Sequence, residues 1–135
     1  MKNVQISYML IAQSANYVAH DIYFIALCAL VFGDILTGYA KAIYGYKGNS
    51  KKGMKGVVKH MFVISGVAVL CIFWHLLKLD FLMTGIILAF IGTYGISICE
   101  NLGQMGIIIP KWLSDRLEKL SHDYNENPKG EKKND

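Results

Sequence analysis

Long apolar blocks separated by short charged segments dominate the chain. The stretch 81–99 carries no charged side chain and is bounded by Asp80 and Glu100. As an α-helix it would be roughly 28 Å long, close to the ~30 Å thickness of the hydrocarbon layer of a bilayer. Two further blocks, 22–46 and 61–77, have nearly the same reach. The pattern therefore predicts about three membrane-spanning helices.

Residues 1–20 form a more polar segment in front of the first block. Positions 3–19 carry no formal charge, but polar side chains recur along them, at Asn3, Gln5, Ser7, Gln13, Ser14 and Asn16. This polarity is high for a membrane span, and we interpret the segment as an interfacial lead-in. A fourth span is the alternative. A cleavable signal peptide is a further one, although its apolar core would be short and interrupted.

The C-terminal segment predicts a short amphipathic helix over 111–121. Pro110 has a backbone angle suited to a first helical turn, and apolar side chains recur on one face after it, at Leu113, Leu117 and Leu120. Such a helix would lie on the inner membrane surface with Trp112 at headgroup level. Packing on the rest of the protein is the other interpretation. The polar, charge-rich residues 122–135 predict a disordered tail.

These elements predict an all-α integral membrane protein with a C-terminal amphipathic helix. Its parts are a lead-in at 1–20, a transmembrane domain at 21–110 with spans near 22–46, 60–78 and 81–100, and a cytoplasmic helix and tail at 111–135. Composition agrees, since 53% of the 135 residues are hydrophobic, only 18% are charged and the mean hydropathy is +0.33. The cysteines lie singly in separate blocks and indicate no disulfide framework: Cys28, Cys71 and Cys99.

Charge placement predicts the orientation of the spans. The formal net charge is +4, and lysines without any acidic neighbour crowd the segment between the first two blocks, at Lys47, Lys51, Lys52, Lys55 and Lys59. Short Lys-rich loops stay on the cytoplasmic side during insertion. The connection between the second and third blocks holds only Lys78 and Asp80 and reads as the outer hairpin. The C-terminal tail is then cytoplasmic.

The sequence contains no recognisable catalytic motif. It has no phosphate-binding glycine loop, no clustered metal ligands and no Ser, His and acid set. The histidines are scattered over segment ends and interfaces, at His20, His60, His75 and His122. We therefore predict no enzyme activity, no metal and no cofactor. The Lys-rich segment lacks interleaved aromatic residues, which favours contact with anionic lipid headgroups over nucleic acid.

Polar side chains inside the apolar blocks carry the clearest functional signal. Asp34 interrupts the first block, and an acid near the bilayer centre costs on the order of 3 kcal/mol on insertion scales. On a helix it shares one side with small and polar residues, namely Thr37, Gly38, Lys41, Ala42 and Gly45. Asp34 and Lys41 are too far apart to pair within one helix. Each is therefore expected to contact another helix or water.

The third block carries two comparable lines of residues. Small residues that permit close helix packing share one face, at Gly85, Ala89 and Gly92. A polar line follows, at Thr93, Ser97 and Glu100. Two interpretations stay open at this point. The polar residues either belong to ordinary bundle packing near the inner interface, or they line water.

At these residues the sequence resembles the phage holin family that includes toxin-secretion and lysis holins of Gram-positive bacteria and their phages. Three segments carry the resemblance, in order and at suitable spacing. They run from Asp34 through Thr37 and Gly38 to Lys41 and Ala42, from Asn49 to Lys59, and from Ser97 through Glu100 and Asn101 to Gly106 and Pro110.

The resemblance implies a protein that assembles with copies of itself in the cytoplasmic membrane and opens lesions. These would release a cell-wall hydrolase, an endolysin, with no need for direct contact between the two proteins. Some relatives are implicated in toxin export. An antiholin, a small channel or transporter subunit and a non-lytic membrane scaffold are the alternatives.

Overall fold

A computed structural model describes residues 2–45 and 50–125, and within them the side chains of residues 5, 7–45 and 56–119. The described residues form helices joined by short turns, without a strand. Its elements are α1 (Lys2–His20), α2 (Ile22–Tyr44), α3 (Ser50–Leu76), α4 (Asp80–Gln104) and α5 (Lys111–Asn125). The all-α prediction is confirmed.

Three of these helices are long and apolar enough to cross a membrane. They are α2 with 23 residues, the part of α3 from Gly56 to Leu76 with 21, and α4 with 25. Even the shortest would be about 32 Å long, which matches the hydrocarbon layer. The prediction of three spans plus a C-terminal helix is thus confirmed.

The Lys-rich segment differs from its predicted form. We expected a loop before a span beginning near residue 60, but α3 already begins at Ser50 and runs through this segment. Lysine is a good helix former, and the following apolar residues extend the same helix, so the intervening glycines do not end it. Lys47 lies outside the described residues, as do the side chains of Lys51, Lys52 and Lys55. Lys59 is exposed.

Helices α2 and α4 run side by side in the same direction, because residues near 34 and 41 of α2 meet residues near 97 and 101 of α4. Helix α3 is antiparallel to α4. The turn between them is closed by backbone hydrogen bonds from Lys78 to His75 and from Leu79 to Trp74, with Lys78 at a φ of 61°. Apolar side chains fill the centre of the bundle, and those with the least exposure are Leu27, Val31, Cys71, Met83 and Ile87.

Helix α1 joins α2 at a one-residue break. Asp21 caps α2, since its side chain accepts a hydrogen bond of 2.9 Å from the backbone N–H of Phe24. Among the described side chains of α1, Ser14 and Val18 are buried, whereas the apolar residues 8–11 are exposed. The role of residues 1–20 as a lead-in stays a prediction.

Helix α5 folds back onto α4. Gly106 adopts a left-handed φ of 84°, and the N–H groups of Gly106 and Ile107 bond to the carbonyls of Gly103 and Leu102. This pattern is a Schellman motif, which ends α4 and turns the chain. Packing on the rest of the protein, one of the two predicted alternatives, is therefore what α5 shows. The helix extends to Asn125, past its predicted end at residue 121, and the rest of the predicted tail lies outside the described residues.

Candidate functional site

Asp34 is the centre of a buried group of polar side chains. It lies near the middle of α2 and is only 7% exposed. One carboxylate oxygen, Oδ1, accepts hydrogen bonds from Ser97 Oγ at 2.6 Å and from Asn101 Nδ2 at 3.1 Å. The donors stand one helical turn apart on the same face of α4. The carboxylate thus links the two parallel helices at the depth where an unpaired acid would be most costly.

Asn101 connects this carboxylate to a second charged group on α2. Its side-chain oxygen accepts a 2.6 Å hydrogen bond from Lys41 Nζ, while its Nδ2 also lies 3.3 Å from Thr37 Oγ1. Asp34 and Lys41, which are two turns apart on one helix, therefore share a single neutral bridge on the other. Asn101 is 7% exposed, so these bonds replace the water that its amide would otherwise bind.

Helix α3 contributes an imidazole to the same site. His60 Nε2 lies 3.5 Å from Asp34 Oδ2, and His60 Nδ1 lies 3.2 Å from the hydroxyl of Tyr94. The rings of His60 and Tyr94 are tilted, with centroids 5.6 Å apart. We call the full set the polar cluster: Asp34, Thr37, Lys41, His60, Tyr94, Ser97 and Asn101.

The cluster is internally satisfied. Among the described residues, every buried side-chain nitrogen or oxygen has a hydrogen-bond partner. Because hydrocarbon offers no replacement partner, each of these bonds favours the arrangement in which α2, α3 and α4 stay together. The arrangement can hold a bundle closed, and the same groups can bind water if the helices separate.

The structure brings some of the predicted site residues together and leaves others apart. Five of them belong to the polar cluster, and Gly38 lies beside it, since a Cβ there would be 3.7 Å from Asn101 Nδ2. Glu100, which continues the predicted polar line of the third block, is exposed on α4. Pro110 directly precedes α5. The small-residue face lies partly inside the chain, because Gly85 and Gly92 are buried, and its role between copies stays a prediction.

Sequence reasoning missed two members of the cluster. His60 was interpreted as a boundary residue, and Tyr94 was not singled out. A signal for His60 was present, because it lies inside the apolar part of α3 that begins at Gly56. An imidazole one turn inside a span needs a polar partner. Tyr94 gave no such signal, since a tyrosine in an apolar helix also packs without a specific partner.

A second polar contact lies at the opposite end of the bundle. His75 Nδ1 lies 2.6 Å from Asp80 Oδ1 across the turn between α3 and α4. The ring of Tyr17 stacks on His75, with centroids 4.0 Å apart and an angle of 9° between planes. We call these three residues the hairpin clasp. It attaches α1 to the hairpin of α3 and α4.

We searched the described part of the chain for side chains that could bind a metal ion. It contains no group of three His, Cys, Asp or Glu side chains that could hold an ion. The polar cluster pairs one carboxylate with one imidazole and a lysine through an amide. Its geometry is that of a set of interhelical contacts.

Comparisons with known proteins agree with this architecture. The sequence profile of the bacteriophage holin family matches residues 14–122. The uncharacterized protein YqxH of Bacillus subtilis strain 168 is 34% identical over 109 residues, which cover 80% of this chain and 74% of YqxH. A probable holin of Bacillus phage phi105 is 33% identical over 91 residues, 67% of each chain. An uncharacterized 14.9 kDa protein in the nagH 3' region of Clostridium perfringens is 31% identical over 106 residues, 77% of this chain and 80% of the relative. No solved structure matches.

Proposed function

Because this chain belongs to the bacteriophage holin family, we propose that it oligomerises in the bacterial cytoplasmic membrane and permeabilises it. The resulting lesion releases a cell-wall hydrolase, so that the host lyses, or a toxin. The family consists of membrane permeabilisers rather than enzymes, and the phage phi105 relative carries the name of a probable holin. Three spanning helices agree with a multi-pass membrane protein.

The polar cluster is the observation that supports a permeabilising role most directly. A carboxylate, a lysine and an imidazole inside spanning helices are each costly to insert, which supports a role for them beyond ordinary helix packing. In the monomer these groups pair with one another across α2, α3 and α4. When several copies associate, the same groups can face water enclosed between them. The polar cluster would then have two states, one paired within a closed bundle and one hydrated within an assembly of several copies.

Orientation forms part of the proposal. Lys47 and the lysines in the first part of α3 favour a cytoplasmic position for the C-terminal end of α2, and α4 runs parallel to α2. Lys41 and Asn101 lie within about one turn of the last residues of these helices, Tyr44 and Gln104. The polar cluster therefore extends from mid-membrane to the cytoplasmic side, where α5 begins and where we expect the tail. The hairpin clasp lies on the outer side.

Expression in a bacterial host with and without a cell-wall hydrolase tests the proposed function. Alone, the protein should collapse ion gradients at a defined time while the cells keep their shape. With a cytoplasmic hydrolase, the culture should lyse at that time, although the two proteins need not bind each other. Dye-loaded vesicles should also leak once the purified protein is added.

An antiholin would give a different result. It would leave ion gradients intact and delay lysis by a separate holin. Intact gradients, absent lysis and sealed vesicles, at a level of membrane accumulation equal to that of a known lytic holin, would contradict the proposal.

A further inference from the structure

Leu117 of α5 occupies a notch on α4 that exists only because residue 95 is a glycine. A Cβ built on Gly95 would lie 2.6 Å from Leu117 Cδ2 and 3.4 Å from its Cγ. The first distance is shorter than carbon atoms tolerate, so a side chain at position 95 would require Leu117 to shift. Gly95 is buried. The other two glycines near the end of α4, Gly103 and Gly106, have nothing within 4 Å of the corresponding position.

The opposite side of α5 is strongly polar. Its exposed residues include five charged ones, namely Lys111, Asp115, Arg116, Glu118 and Lys119. Gly95 lies about 14 Å from the end of α4 at Gln104, so α5 runs along a part of α4 that belongs to the span. Charged side chains are costly next to hydrocarbon. The cost of holding these charged side chains beside hydrocarbon therefore opposes the packing of α5 on α4. The apolar helices of the bundle do not have this cost.

A second position is open to the same helix. Trp112 is 68% exposed, and an amphipathic helix with a tryptophan and several basic residues is suited to the membrane surface. In that position Leu113 and Leu117 could face the acyl chains while the charged side chains contact headgroups and water. The contact with α4 and the membrane surface thus compete for one apolar face of α5.

We propose that α5 is an internal cover of the α4 surface around Gly95, and that a second copy of this chain occupies this surface after α5 leaves. The inference rests on the proposed function, which requires copies to associate. A glycine notch in a span that already accepts a leucine from one helix allows equally close approach of another. Seated α5 therefore keeps the chain monomeric, and its release permits assembly.

A reversible lock tests the release step. With the three native cysteines replaced by alanine, cysteines at positions 95 and 117 should form a disulfide, because a thiol at 117 would stand near the present Leu117 Cγ, 3.4 Å from the Cβ position at 95. The oxidised protein should leave dye-loaded vesicles of phosphatidylethanolamine and phosphatidylglycerol sealed. Reduction should restore leakage to at least about ten times the locked rate.

The outcomes separate this inference from the proposed function. Equal leakage from the oxidised and reduced forms would contradict the proposal that α5 covers the α4 surface around Gly95. Failure of the wild-type protein to cause leakage would instead contradict the proposed function. If the wild-type protein causes leakage but the cysteine-free protein does not, the inference is tested with the variants described next, which keep the native cysteines.

Substitutions on the two sides of the contact should have opposite effects on permeabilisation in cells. Leu117→Ala frees α5 and leaves the α4 surface unchanged, so lysis should begin earlier, with released protein increased on the order of tenfold. Gly95→Leu removes α5 but also fills the notch that the second copy needs. Lysis should then begin later, with fewer cross-linked dimers at equal accumulation. Effects of the same sign from both substitutions would refute competition for this surface.

The turn before α5 offers a second way to release α5 from α4, together with a matched control substitution. Gly106→Ala places a Cβ at a left-handed residue, which opposes the turn, and should advance lysis as Leu117→Ala does. Gly103→Ala changes a neighbouring helical glycine that also has open space around it, and should leave lysis timing unchanged. Equal timing in both variants would exclude control by the seating of α5.

Discussion

Replacement of Asp34 gives the most quantitative test of the polar cluster. Asp34→Asn preserves an oxygen that accepts from Ser97 and Asn101, and its new amide can donate to a neutral His60 nitrogen. Asp34→Leu has a similar size but accepts nothing, so the hydroxyl of Ser97, the amide of Asn101 and the imidazole all lose a partner. The two variants therefore separate loss of charge from loss of the interhelical bonds.

The expected magnitudes follow from the three contacts of the carboxylate. Interhelical hydrogen bonds in membranes contribute on average about 0.6 and at most about 1.7 kcal/mol each. Three such contacts correspond to about 2 to 5 kcal/mol for Asp34→Leu, whereas Asp34→Asn should lose about 1 kcal/mol. Insertion of α2 should improve in both variants, since the charged residue costs on the order of 3 kcal/mol. A weaker bundle would then not reflect poor insertion.

Unfolding in detergent micelles, followed by circular dichroism, measures these differences. Glu100→Gln is the matched control, because Glu100 is exposed and adjacent in sequence to Asn101. It should unfold as the wild type does. In cells at matched protein levels, Asp34→Asn should advance lysis, since about 1 kcal/mol raises the open fraction roughly fivefold.

Two results would refute this reasoning. Stability of Asp34→Leu within about 0.5 kcal/mol of wild type would mean that the cluster does not hold the helices together. Wild-type lysis timing in Asp34→Asn, equal to that of the Glu100→Gln control, would remove the Asp34 carboxylate from the mechanism.

Further predictions concern orientation, packing and the hairpin clasp. Cysteines introduced at Lys47 and Glu118 in a cysteine-free chain should resist an impermeant thiol reagent applied to intact cells before lysis, and labelling of either would overturn the topology. Gly92→Leu should reduce cross-linked oligomers without loss of insertion, because Gly92 belongs to the small-residue face that is expected to permit close helix packing. Gly66→Leu, at a position with open space around it, should not reduce them, and equal yields would show that Gly92 has no role in contacts between copies. Tyr17→Ala should increase proteolysis of α1 without changing the stability contributed by the polar cluster, and unchanged cleavage would show that the stack does not fix α1.

The sequence was sufficient to predict the spans and the need of Asp34 for a partner. Both follow from properties of single segments, namely the length of an apolar block and the cost of a charge within it. The identity of the partner was not predictable in the same way. Ser97 and Asn101 meet Asp34 only because α2 and α4 are parallel and adjacent, and Glu100, their neighbour in sequence, points elsewhere. That difference depends on helix rotation.

The C-terminal helix shows the same limit. The leucines of 111–121 indicate an apolar face, but periodicity alone does not distinguish a lipid surface from a protein surface. The contact of Leu117 with Gly95 depends on the turn at Gly106 and joins residues that lie 22 positions apart along the chain. In the Lys-rich segment, by contrast, a local property was decisive. Helix propensity extended α3 in front of the apolar block that marks the predicted span.

The separation between the polar cluster and the hairpin clasp has an electrical consequence. On α3 they are represented by His60 and His75, which stand about 22 Å apart along the axis. Among the described residues, the largest fully buried side chains are apolar or a thiol: Leu27, Val31, Cys71, Met83 and Ile87. Passage of a hydrated ion or proton through this layer of a single chain would be costly. Under the proposed function, the closed monomer would then act as an insulator, so that the host could keep its membrane energised while copies accumulate.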